Sequence, residues 1–133
     1  MIMESFASAG NVDLQMNLSD AELLELYQTS DLMVLPLFEA TANVALLEAL
    51  SCGLPIVTSE IEGITDYVSR NEAALVPARD PEGMAQHVLK LLEDREQREK
   101  LARASRTKAL TFEWRVIAEQ IKHVYNTVAG TKM

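Results

Sequence analysis

The sequence has 133 residues, 48% hydrophobic, 24% charged and only 5% aromatic, with a formal net charge of −8. That is room for one domain with an aliphatic core, and its acidity excludes non-specific binding to nucleic acid or anionic lipid, though not a small anionic ligand held by local dipoles. The lone cysteine, Cys52, excludes an intrachain disulfide or a cysteine-based metal site, and no apolar run reaches the roughly 20 residues of a membrane span.

In chain order, MIMESFASAG shows no period and is expected to be a loop or frayed start over residues 1–10. It lacks the basic start and long apolar run of a signal peptide, so the chain is expected to be cytoplasmic. The domain proper is expected over residues 11–133. Asn11–Met16 alternates Val12, Leu14 and Met16 with polar residues, the pattern of a half-buried strand. Ser19 and Glu22 have capping-box spacing and predict a helix that ends near Thr29–Ser30, with Leu23, Leu24, Leu26 and Tyr27 as its apolar stripe. DLMVLPL (31–37) is a nearly continuous apolar run, as in a strand covered on both faces, closed by Pro36.

The loop FEATA leads to a predicted helix, Asn43–Cys52. It stops at Gly53, a left-handed cap, with Pro55 barring continuation. Leu54–Thr58 is a short strand, Gly63–Ser69 a short helix and Ala73–Pro77 a last strand. Asp80 then caps a helix with Pro81 at its first position, and Ala85, Val88, Leu89 and Leu92 line one face. A charged helix follows, with Glu96–Lys100 and Glu99–Arg103 as i,i+4 pairs. A final helix opens around Phe112–Trp114 and runs through Ile117, Ile121, Val124 and Tyr125.

Strands alternating with helices predict an α/β fold, a Rossmann-like parallel sheet of about four strands flanked by helices, with a helical C-terminus. One edge, at Asn11–Met16 or beside Leu54–Thr58, is expected to lack its neighbours. Ligands of such sheets bind outside the carboxyl ends of the strands. The N-terminus of the Asn43–Cys52 helix therefore points at the binding crevice, where its free N–H groups favour phosphate, and Thr41 and Asn43 add polar side chains.

Within that helix, Glu48 is the one carboxylate among apolar residues from Val44 to Leu50. A buried carboxylate needs donors. A ribose diol offers two hydroxyls. Alternatively Glu48 reaches solvent at a helix edge or pairs with an arginine.

FEATANVALLEALSCGLPIVTSEIEGITDYV resembles the donor-site region of group 1 (family 4) glycosyltransferases, most specifically through LEALSCGLPIV. The resemblance extends to LSDAELLELYQTSDLMVLP and FEWRVIAEQIKHVY, from Leu18 to Tyr125. Such enzymes have two Rossmann-like domains, the GT-B fold, and the likeness is to the C-terminal, nucleotide-sugar-binding one. The resemblance implies transfer of a hexose from a nucleotide diphosphate to an acceptor hydroxyl with retention, with no metal or other cofactor. It implies that Glu48 binds the ribose hydroxyls and Glu39 the transferred sugar, and that Glu39, Thr41, Ala42, Asn43, Val44 and Glu48 together form the donor-binding set.

The pattern departs from the family in two ways. Eight residues separate Glu39 from Glu48 where the family has seven, and the loop EATAN replaces a glycine-containing turn. The acceptor-binding N-terminal domain and the opening of the donor domain, with its glycine-rich turn and Arg/Lys pair, have no counterpart, and no Lys or Arg precedes Arg70. The chain is therefore expected to be a partial donor domain with no catalytic residue assigned, inactive alone and self-associating through the bare sheet edge or the last helix. A non-catalytic α/β binding module and part of a nucleotide-sugar epimerase are the alternatives. Cys52 reads as a core thiol, His87 and His123 as surface or structural histidines, Asp66 as a capping or packing residue, and Arg103, Arg106 and Lys108 as a solvated basic face.

Overall fold

The computed structural model describes residues 10–130. The elements run α1 (Asp20–Thr29), β1 (Met33–Leu35), α2 (Val44–Ser51), β2 (Ile56–Glu60), β3 (Ala74–Pro77), α3 (Pro81–Glu93), α4 (Arg95–Leu110) and α5 (Trp114–Gly130). The expected loop over residues 1–10 falls almost wholly outside the described residues.

Helix starts obey their local chemistry. Glu22 Oε2 accepts from the Ser19 amide at 2.8 Å while the Ser19 hydroxyl accepts from the Glu22 amide, a reciprocal capping box. Asn43 Oδ1 accepts from the Leu46 amide at 2.9 Å and opens α2. Asp80 does the same for α3 through the Gly83 amide, with Pro81 first in the helix. Asp94 closes α3 and caps α4, accepting from the Gln97 amide at 2.9 Å. Gly53 ends α2 at φ 65°, and a Cβ there would meet the Ala102 carbonyl at 3.4 Å, so α4 lies close against the turn.

The sheet is parallel, in the order β1-β2-β3. Alternation along the strands divides the core. Met33, Leu35, Ile56 and Leu75 face Leu46, Ala49 and Leu50 of α2, together with Ile64, Val68 and Ala109. Val57 and Val76 face Met84 and Leu91 of α3 and Leu101 of α4. The buried hydroxyls of Thr58, Ser59 and Ser105 are bonded to the Leu35 carbonyl, the Leu37 amide and the Glu72 carbonyl.

The described residues hold three strands, not four. Asn11–Met16 alternates as a strand should, but it has no strand beside it, and Val12, Leu14 and Met16 are exposed. Alternation alone does not make a strand without a ladder to join. Leu54–Thr58 falls at the centre rather than an edge, because β2 pairs on both sides. The 31–37 run shortens to Met33–Leu35; Met33, Leu35 and Leu37 pack on one core cluster and Leu32 on the other, but that second face is covered only in part, with Val34 43% exposed.

Gly63–Ser69 forms a run of turns instead of a helix. Gly63 adopts φ 75°, which no α-helix accommodates, and the i→i+4 bonds from Thr65 to Ile61 and from Val68 to Ile64 are not consecutive. On α3 the buried face is Met84–Val88–Leu91, while Leu89 and Leu92 are exposed. Glu99 pairs with Arg103 at 3.9 Å as expected, but more closely with Arg95 at 2.8 Å; Glu96 and Lys100 form no ion pair. Phe112 packs on the Tyr67 ring with centroids 5.6 Å apart, whereas Trp114 stands 86% exposed. No described helix is long and apolar enough to cross a membrane.

Candidate functional site

The loop from Pro36 to Asn43 leaves the carboxyl end of β1 and delivers the chain to α2. Three contacts shape it. The Leu37 amide donates to Ser59 Oγ at 2.9 Å, which fixes the exit from β1. The middle of the loop lies on Gly63, where a Cβ would stand 2.0 Å from the Ala40 carbonyl oxygen. Asn43 closes the loop as the α2 cap. That side chain, expected to face a ligand, is engaged by its own helix, while the Val44 and Ala45 amides of the first turn have no intrahelical acceptor.

Glu48 is half-buried, not sealed in the core. The buried face of α2 is Leu46–Ala49–Leu50. Val44, Leu47, Glu48, Ser51 and Cys52 form the other face and line a groove of about 450 Å³ against Asp20, Leu23, Leu24 and Tyr27 of α1. Across the groove, the Tyr27 hydroxyl donates to Glu48 Oε2 at 3.0 Å. No arginine or lysine pairs with Glu48 among the described residues, and its Oε1 accepts no hydrogen bond from them. A carboxylate has acceptor capacity for more than one donor, so Glu48 retains capacity for a vicinal diol.

Burial pushes the Tyr27 phenol up from its ordinary value of 10.0 to about 12, with the hydrogen bond to Glu48 and the charges of Glu48 and Cys52 adding to the shift. The folded state favours the neutral phenol. The resulting stabilisation is complete below pH 10 and lost as pH rises through about 12. Tyr27→Phe is expected to cost about 0.5–1.5 kcal/mol at neutral pH and to flatten the stability loss between those two pH values. Urea unfolding of both proteins across that range checks it; parallel pH curves would contradict it.

Of the sequence-derived set, Glu39, Thr41, Ala42 and Val44 are exposed and Asn43 is half-buried, and of these five only Val44 lines the Glu48 groove. The structure adds residues that sequence reasoning passed over. Tyr27 read only as part of an apolar stripe; its signal was a hydroxyl on a helix that precedes a lone carboxylate. Gly63 read as a helix start. At the carboxyl end of β3, Arg79 holds φ 64°, a left-handed conformation that costs about 1–2 kcal/mol for a residue with a Cβ. Its Cζ lies 5.4 Å from the Phe38 ring centroid. Asp66 is exposed, in the turns after Gly63. The expected basic face is partly engaged: Arg106 donates to the Ser51 carbonyl at 2.8 Å and Lys108 lies over the Phe112 ring.

The family model described as "Glycosyl transferases group 1" matches residues 3–108. A sulfoquinovosyl transferase of Arabidopsis thaliana is 31% identical over 106 residues, 77% of this chain and 21% of that protein. A glycogen synthase of Mycobacterium tuberculosis is 33% identical over 111 residues, 82% of this chain and 27% of that protein. Among solved structures, sucrose-phosphate synthase of Thermosynechococcus elongatus superposes with a TM-score of 0.80 at 23% identity, over 98% of this chain and 33% of that one. Anabaena HepE in complex with UDP-glucose superposes with a TM-score of 0.76 at 17% identity, over 94% and 35%. The chain thus spans about a third or less of the length of each of these relatives.

Proposed function

This chain belongs to the group 1 glycosyltransferases, and on that premise we propose that it is the nucleotide-sugar-binding part of a retaining hexosyltransferase. One observation carries the reading: Glu48, on a helix that starts at the carboxyl end of β1, is held by Tyr27 and keeps acceptor capacity toward an open groove. In this reading the ribose diol donates to Glu48, and the phosphates lie toward the first turn of α2, where backbone amides and the helix dipole favour negative charge. Glu39, Thr41, Ala42, Asn43 and Val44 form the wall along which the sugar lies.

The whole reaction moves a hexose from the nucleotide diphosphate to an acceptor hydroxyl with its anomeric configuration retained, without a metal. The acceptor comes from an N-terminal domain of a longer protein, because transfer needs both substrates oriented in one site. Cys52 is a free thiol, which fits a reducing, cytoplasmic setting. HepE was solved with UDP and with UDP-glucose; donors of this class are proposed here.

The test is a two-dimensional NMR titration of the labelled chain with UDP, GDP and ADP. Shifts confined to Thr41–Glu48 and Tyr27 with one of the three support the reading and name the base. A folded protein that shifts with none of them at millimolar concentration overturns it for this chain.

The last helix belongs to the same reading. Among the described residues α5 buries no side chain, and Trp114, Ile121, Val124, Tyr125 and Val128 are all exposed along it. The repeat 114, 117, 121, 124, 128 keeps one apolar seam facing a partner. We assign this seam to the acceptor domain of the longer protein. The isolated chain is therefore expected to self-associate, with a sedimentation coefficient that rises with concentration; a constant monomeric value would refute this.

A further inference from the structure

Two loops meet beyond the carboxyl ends of the sheet. One follows β1 and carries Phe38 and Glu39; the other follows β3 and carries Arg79. They touch through the Arg79 guanidinium, which lies over a Phe38 ring that is itself 70% exposed. Arg79 is exposed, holds the left-handed conformation, and has no carboxylate within ion-pair distance among the described residues.

The other cations lie elsewhere or are engaged. None precedes Arg70 in the chain, and Arg70 is bonded to Glu60 at 2.6 Å and to the Leu75 carbonyl. Arg95 and Arg103 pair with Glu99, Arg98 donates to the Leu91 and Leu92 carbonyls, and Arg106 to that of Ser51. In a chain of net charge −8, Arg79 thus stands as an exposed cation at the carboxyl end of the sheet, in contact with the loop that carries Glu39. Strained backbone of this kind persists where the surroundings or the ligand require it.

We propose that Arg79 is a donor-phosphate contact, held by Phe38 so that its guanidinium meets the diphosphate of a nucleotide whose ribose is on Glu48. The proposal rests on the donor-binding reading above. It gives the chain a cationic contact of its own for the diphosphate. The planar guanidinium suits two phosphate oxygens at once, and the ring beneath limits its freedom before binding.

The test compares the wild type with Arg79→Gly. Glycine accepts φ 64° without strain, so this variant keeps the loop, and its urea midpoint confirms that it is folded. Binding of UDP, GDP and ADP is measured beside that of uridine, guanosine and adenosine. The expected result is roughly tenfold weaker binding of the diphosphate with nucleoside affinity unchanged, and partial rescue in Arg79→Lys. Equal diphosphate affinity in wild type and Arg79→Gly overturns the proposal. So does a parallel loss of nucleoside and diphosphate affinity, which would mark Arg79 as a support of the loop. If the wild type binds neither nucleoside nor diphosphate, the donor reading itself fails and this inference falls with it.

Discussion

Glu48→Ala is expected to remove the nucleoside-diphosphate shifts from α2 while leaving the chain folded. The carboxylate lies on the groove face of α2, opposite Leu46, Ala49 and Leu50, so its loss opens no cavity in the core. Hydrogen bonds to a charged group contribute about 1.5–3 kcal/mol, equivalent to roughly a ten- to hundredfold loss of affinity. Glu48→Gln separates charge from shape: the amide still accepts from one hydroxyl but is no longer acceptor-only. It should bind between the two extremes. The Tyr27 hydroxyl loses its partner in Glu48→Ala, but it is half-buried and can turn to water, so the structural cost stays near that of Tyr27→Phe. An alanine variant that binds as tightly as the wild type would leave Glu48 with only the solvated helix-edge role.

Gly63→Ala is expected to be the most damaging small substitution in the chain, at about 2–4 kcal/mol. Two independent penalties combine there. A residue with a Cβ at φ 75° costs about 1–2 kcal/mol. In addition, the Cβ would stand 2.0 Å from the Ala40 carbonyl oxygen and 3.3 Å from the Thr41 amide nitrogen, so the backbone of the loop between β1 and α2 has to move. Because Ala40 lies between Glu39 and Thr41, this substitution is expected to weaken donor binding as well as stability. Gly130→Ala is the control, since nothing lies within 4 Å of a Cβ there. Urea unfolding of both variants checks the contrast; a Gly63→Ala protein as stable as the wild type would mean that the loop does not rest on this turn.

Most element boundaries were legible because the signals that set them are local. The Ser19–Glu22 box, the Asp80 cap, Pro81 and Gly53 act within a turn or so of themselves, and each does so here, whereas the Asn43 and Asp94 caps emerged only in the structure. Misreadings came where an element depends on a partner. Val12, Leu14 and Met16 alternate as a strand does, but a ladder requires a neighbouring strand. Leu89 and Leu92 are as apolar as Leu91, and only the position of the sheet selects Met84, Val88 and Leu91 for burial.

The candidate site divides in the same way. The sequence by itself determined that a helix with a free first turn follows a parallel strand, and that it carries one carboxylate, Glu48, in an apolar surround. Those are statements about neighbours within a few residues, which propensity, capping and periodicity control. Only the tertiary structure decided that Glu48 lies at a groove and not in the core, and that Tyr27, 21 residues away, donates to it. It alone seated Ala40 on Gly63 and Arg79 over Phe38. Such contacts join separate loops at the end of a sheet, and their geometry is set by strand order and register, which local pattern does not encode.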